Sequence, residues 1–368
     1  MKFNVGIIGG GLTGLSLAID MCKRGYSVIL FEKGTYPKHK VCGEYISMES
    51  HRYLFEICPP LQRFQLPYIT EFKITSGKTK SFKTPLNLGG FGISRYILEK
   101  ELYDYAKKIG VTVMCKAKVN QAYRLENLFH ISTTNKIYTS DILCNTSGRK
   151  SNLRTDAQQH SRHNYIGVKY HVKMPRKKSL IEIHNFPGGY CGISAIEDDK
   201  SCLCYIVNSD KLKDSRSSIT DMEKNFLYQN KSLKRIFSEA QFLFEKPITI
   251  SNINFRIKER QKDDIFYLGD AAGSIAPITG NGMSIGLRSA SVLTDLLDSF
   301  FQEKVTYKEL TAIYENFWTS NFSLRIKLSR TLQKLSEYPF LSNRTIDLFN
   351  IAPFIARSVI KQTHGKPF

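Results

Sequence analysis

An apolar run, Val5-Gly6-Ile7-Ile8, ends in Gly9-Gly10-Gly11-Leu12-Thr13-Gly14. This pattern predicts a buried strand followed by a helix from Thr13 to about Arg24. A second apolar run, Ser27 to Phe31, ends at Glu32 and predicts the next strand. Polar and apolar residues alternate from about Tyr68 to Leu88, as in short strands. Ser94 is placed to cap a helix that runs to about Lys108, and Gly110 stops it. Val111 to Met114 predicts a strand, Gln121 to Leu125 and Leu128 to Thr133 a hairpin, and Ser140 to Asn145 a strand aimed at Thr146-Ser147-Gly148-Arg149.

The middle of the chain reads as β-rich. Ile166 to Val172, Leu180 to His184 and Ser201 to Val207 all alternate or run apolar. Thr220 to about Phe244 predicts a helix, and Ile248 to about Asn254 a strand returning to the first domain. Ile265 to Leu268 then ends in Gly269-Asp270. Pro277 to Gly282 leads into a helix from Met283 to Phe301, and the remainder to Phe368 is helical in pattern.

The opening glycines have G-x-G-x-x-G spacing between a strand and a helix. Gly9 permits the turn, Gly11 lets a pyrophosphate approach the backbone, and Gly14 lets the helix pack on the sheet. The helix N-terminus offers unpaired N–H groups to phosphate. Glu32, 18 residues after Gly14, stands where an acid accepts from a ribose 2′-OH. An acid there suits FAD or NAD and disfavours NADP. Leu12, Thr13 and Lys33, adjoining these positions, complete the predicted adenine end of the site.

Composition sharpens this picture at two points. Lys and Arg exceed Asp and Glu by 53 to 33, which favours anionic partners. The basic residues are spread out and accompany no nucleic-acid module, so nucleic acid is not expected. A solvated basic surface and peripheral contact with an anionic membrane both fit. Eight cysteines without a C-x-x-C pair predict reduced thiols and no metal site, with Cys202 and Cys204 on one face of a strand. No apolar run approaches a membrane span, and the first strand begins at Lys2, leaving no room for a signal peptide, so the expected location is cytoplasmic.

The glycine fingerprint, Arg95, Ser147-Gly148 and Gly269-Asp270, in that order, resemble the FAD-dependent oxidoreductases of the p-hydroxybenzoate hydroxylase fold. Lys40-Val41-Cys42-Gly43-Glu44 and Pro187-Gly188-Gly189-Tyr190 are most similar to the geranylgeranyl reductase branch. The resemblance implies an α/β fold. A discontinuous Rossmann-type FAD-binding domain would occupy residues 1–65, 92–158 and 250–300. A β-rich substrate domain would occupy 66–91 and 159–249, and a C-terminal helical region 301–368. It also implies that Gly269-Asp270 contacts the ribityl chain, that Arg95 reaches the phosphates or ribose, and that Gly280, Asn281 and Gly282 present backbone N–H groups to the flavin. Ser147 departs from the Asp found in many relatives, so only Gly148 is given a structural role there.

The activity implied is reduction of C=C bonds in a long apolar, isoprenoid or polyene lipid by hydride from reduced flavin. The proton would come from Cys42, Glu44, Tyr190 or water, and Cys42 is equally readable as a cavity-lining or inert thiol. With only one nucleotide fingerprint, the donor is NAD(P)H bound transiently or a reduced carrier such as ferredoxin or flavodoxin. The alternative is a monooxygenase hydroxylating an aromatic or polyketide-derived substrate with NAD(P)H and O2. Trp318 is the single tryptophan, so the W-x-W-x-I-P motif of flavin halogenases is absent.

Overall fold

The computed structural model describes residues 2–77, 80–149, 153, 164–253, 255 and 259–368. Its first sheet has a parallel core in the order Ile265–Tyr267, Ile137–Asn145, Lys2–Ile8, Val28–Phe31, Thr112–Met114. Val28–Phe31 is apolar and fully buried, and the C-terminal ends of Lys2–Ile8 and Ile137–Asn145 are buried beside it, as a parallel sheet covered on both faces requires. Helix Leu12–Lys23 packs against helices Arg95–Lys108 and Gly282–Phe301. Phe129 and Ile131, from the hairpin Val119–Leu125/Leu128–Thr133, join the same core.

The sheet explains why the sequence motifs meet. The glycine loop, Glu32, Thr146-Ser147-Gly148 and Gly269-Asp270 each follow the C-terminal end of a parallel strand. They therefore converge on one edge, where ligands of open α/β sheets bind.

The second sheet runs Gln241–Phe242, Tyr165–Lys173, Ser201–Asn208, Gly189–Ala195, Leu180–Phe186, Tyr68–Ser76, Lys80–Gly92, Tyr45–Ser47. Period-two alternation divides its faces. Val168, Tyr170, Val172, Leu203, Tyr205 and Val207 pack with Met222, Leu227, Leu233 and Ile236 of the small helices. The opposite face carries Lys169, His171, Cys202, Cys204 and Ile206, with His171 paired to Cys202 and Lys169 to Cys204 across adjacent strands. Cys202 and Cys204 thus share a face, and all eight cysteines are free thiols.

Three expectations change. Ile248–Ile253 does not return to the first sheet; it pairs with Tyr165–Lys173, because its alternating residues extend the second sheet's edge. Tyr45–Ser47, expected within the FAD domain, forms the other end of that sheet. The helix expected from Thr220 to Phe244 is broken into Ile219–Phe226 and Lys231–Glu239, followed by the strand Gln241–Phe242. Asn230 makes the break, its side chain accepting from Ser232 N at 2.9 Å to cap the second helix. The domain boundary expected at 158/159, and Asn254, lie outside the described residues.

The C-terminal region is helical as expected: Tyr307–Glu337, Pro339–Ile351 and Pro353–Thr363. All three pack against strands of the second sheet or against one another.

Candidate active site

One cavity of about 730 Å³ runs from the glycine loop across the second sheet to the C-terminal helices. Of the residues predicted to hold the cofactor, Gly9, Gly11, Leu12, Thr13, Glu32, Lys33, Arg95, Gly148, Gly269, Asp270, Gly280 and Gly282 line it. Gly14 does not, and its role is packing: a Cβ there would lie 2.1 Å from Gly9 O. Gly9 has φ +103°, and a side chain would collide with Ser147 backbone at 2.6 Å.

Gly11 is different. A Cβ there would meet only the ends of Lys40 and Arg95, with Nζ at 3.5 Å and Nη2 at 3.9 Å. Two cations therefore converge on an open stretch of backbone at a helix N-terminus. Arg95 pairs with Glu99, and Lys40 Nζ reaches the same carboxylate at 2.9 Å. Arg95 Nε is buried without a partner. Burial opposes the Arg95 charge, but Glu99 and Cys42 together outweigh it and keep the guanidinium protonated. These donors fit a diphosphate.

Glu32 is buried and already accepts from Gly10 N at 2.9 Å, Gly34 N at 2.8 Å and Lys38 Nζ at 2.5 Å. Burial would raise its carboxyl, yet Lys38, the Gly34 N–H and Lys40 together offset this and bring it below its ordinary range. It still borders the cavity with acceptor capacity left for a hydroxyl. Asn281 is turned away. Its amide donates to Thr363 O at 2.6 Å, tying the turn before helix Gly282–Phe301 to the last helix, so its side chain is structural.

The three candidate proton donors all line the cavity but differ in state. Glu44 is buried and pairs with Lys169, while His171 Nε2 donates to it at 2.6 Å and Arg95 N at 2.7 Å. Burial pushes this carboxyl up, but His171 and Lys169 together bring it below the ordinary range. The Lys169 and His171 contacts thus favour the carboxylate form of Glu44. Tyr190 is buried and its phenol is pushed well above its ordinary value by that burial, so it stays protonated. Cys42 Sγ lies 3.9 Å from Met283 Sδ and accepts from Glu44 N at 3.4 Å.

With that geometry in view, residues 7–39 match the NAD(P)-binding Rossmann-like domain. The chain is 22% identical to conditioned medium factor receptor 1 of Dictyostelium discoideum, over 99% of its length and 77% of that protein's. It is 24% identical to kynurenine 3-monooxygenase of Christiangramia forsetii, over 81% of its length and 73% of that protein's. Identity to digeranylgeranylglycerophospholipid reductase of Methanococcus vannielii is 20%, over 91% and 88%. The flavin-dependent brominase Bmp2 superposes with TM-score 0.78 at 16% identity, covering 99% of this chain and 93% of that one.

The chain shares the fold of the flavin-dependent brominase Bmp2, with a Rossmann-like dinucleotide-binding segment at residues 7–39. The expected α/β architecture agrees with it.

Sequence reading missed the fastening beneath Cys42. In this FAD-type fold the 40–44 segment lies across the second sheet, whose side chains hold its carbonyls. Lys169 Nζ donates to Lys40 O at 3.2 Å, Cys202 Sγ to Cys42 O at 3.2 Å, and Ser194 Oγ to Gly43 O at 3.3 Å. Glu44, His171 and Cys202 also approach closely enough to suggest a metal, but the Lys169 ammonium already neutralises that carboxylate. Lys40 and Glu99 were likewise missed as parts of the phosphate cradle.

Proposed function

We propose that this chain is an FAD-dependent reductase acting on C=C bonds of a long apolar, isoprenoid-like substrate. One observation carries the reading. The cavity continues from the Gly11 cradle onto an apolar wall of Phe72, Ile74, Ile181, Ile183, Ile206 and Phe349, which suits a long apolar substrate. The similarity to the Methanococcus vannielii reductase, whose name specifies a geranylgeranyl lipid, supports the same class.

FAD, when bound, supplies the two-electron redox chemistry, and NAD(P)H or a reduced carrier renews it. The residues do the rest. Arg95 and Lys40 bind the diphosphate, and Glu32 meets the ribose. The apolar wall orients the substrate and excludes water. Cys42 and Tyr190 are the candidate groups that bring a proton to the cavity, while the Lys169–Glu44–His171 cluster holds the Cys42 backbone in place.

The second reading, hydroxylation of an aromatic substrate, is favoured by the match to the Christiangramia forsetii monooxygenase. Incubation with reductant and either a polyprenyl lipid or an aromatic acid, with and without O2, separates the two by mass spectrometry. Gain of two hydrogens by the lipid without O2 is expected. Oxygen insertion that needs O2, with no hydrogenation, overturns the reductase reading.

A further inference from the structure

The last two long helices have two working faces. Ser342, Thr345, Phe349, Ala356, Val359 and Ile360 line the cavity from inside. The outer face exposes Phe340 at 67%, Ile351 at 83% and Phe354 at 66%, with Leu341 and Leu348 beside them. Spacing along helix Pro339–Ile351 places Phe340, Arg344, Leu348 and Ile351 on one side, and the same is true of Phe354, Arg357 and Lys361 on helix Pro353–Thr363. Large exposed apolar residues gathered on one surface mark an interaction site.

The charge around them selects the partner. From Tyr338 to Phe368 there are four Lys and Arg residues and one acid, Asp347. That acid is paired with Lys80. Arg344 sits 5.4 Å from the Phe340 ring centroid, so the cation lies directly over the apolar surface. Aromatic and aliphatic residues interleaved with Arg and Lys suit the boundary between acyl chains and anionic headgroups. Among the described residues no helix is long and apolar enough to cross a membrane. The arrangement therefore lies on a surface and does not span it.

We propose that the outer face of helices Pro339–Ile351 and Pro353–Thr363 docks on an anionic lipid bilayer. Docking sets the apolar end of the cavity about one helix diameter, roughly 10 Å, from the membrane. A lipid substrate then need not cross water to reach the site. The proposal stands on this surface and is read without substrate, so its failure and that of the reductase reading are separately visible.

The experiment is flotation of the flavin-loaded protein with vesicles of phosphatidylcholine, alone or with about one-third phosphatidylglycerol. The protein is expected to float with the anionic vesicles and to partition at least about tenfold less onto neutral ones. Phe340→Ser/Ile351→Ser/Phe354→Ser should abolish flotation. Arg344→Glu/Arg357→Glu should lower it at least about tenfold. Both variants should keep wild-type flavin content and melting temperature, since these side chains are exposed and do not line the cavity. The proposal is overturned if the wild type stays in the aqueous fraction with anionic vesicles, or if either variant floats like wild type. It is equally overturned if light scattering shows a dimer that the serine variant disperses, which would make a second copy of the chain the occupant.

Discussion

His171 donates to Glu44 at 2.6 Å, and this contact fastens the 40–44 segment to the second sheet. Lys169 pairs with the same carboxylate, and both partners are wholly buried. Removing one member of such a pair strands a charge. Lys169→Met is expected to destabilise the protein by about 3–5 kcal/mol in denaturant unfolding. Lys169→Met/Glu44→Gln should recover a large part of that loss. A single variant as stable as wild type would show that the cluster does not hold the segment.

The cradle at Gly11 predicts a separation of binding from folding. Arg95→Ala should weaken FAD binding by roughly ten- to a hundredfold, the value of a charge-assisted hydrogen bond, read by flavin fluorescence on titration. Gly11→Ala should keep the wild-type melting temperature yet lose affinity, because its methyl meets only the ends of two flexible side chains. Gly14→Ala should fail differently, through folding, since its methyl meets Gly9 O. Equal effects of the two glycine variants on stability would contradict the assignment.

The strand-end positions around the cavity were legible in the sequence, and the reason is geometric. Gly9, Glu32, Gly148 and Gly269 each follow a parallel strand, so a linear reading of strand ends predicts their convergence. Lys169 and His171 were not legible. They alternate with Val168, Tyr170 and Val172, the same pattern a solvent-facing strand shows, and only the overlying 40–44 segment buries them. The side-chain anchor of Asn281 was not legible for a similar reason. Its partner Thr363 lies 82 residues away, and no local signal points to it. At Asn230 a single capping side chain split what hydrophobic periodicity read as one helix.

His184 gives a pH signature. It is fully buried beside Thr75, and burial lowers its imidazole to about 4 from an ordinary 6.5. The unfolded chain therefore binds the proton more readily between those values. Stability from the neutral ring is present above pH 6.5 and is lost as pH falls toward 4. Between pH 6 and pH 5 this site alone should cost about 1 kcal/mol. His184→Gln should show a correspondingly shallower fall in unfolding free energy over that interval. Parallel profiles would place the titration elsewhere.

Cys42 and Tyr190 divide the proton question. Cys42→Ala or Tyr190→Phe, whichever removes the donor, should slow turnover by about a hundredfold while leaving flavin content unchanged. The other variant should change turnover little. If neither slows it, water carries the proton and both side chains only shape the cavity.

The central claim is that this cavity couples FAD to a long apolar acceptor. It is tested most directly by reducing the flavin-loaded protein under argon, adding a polyprenyl lipid, and following the flavin absorbance. The account predicts that the bleached flavin regains its colour without O2, and that one substrate double bond is lost for each flavin reoxidised. Flavin that stays bleached until O2 is admitted would contradict it.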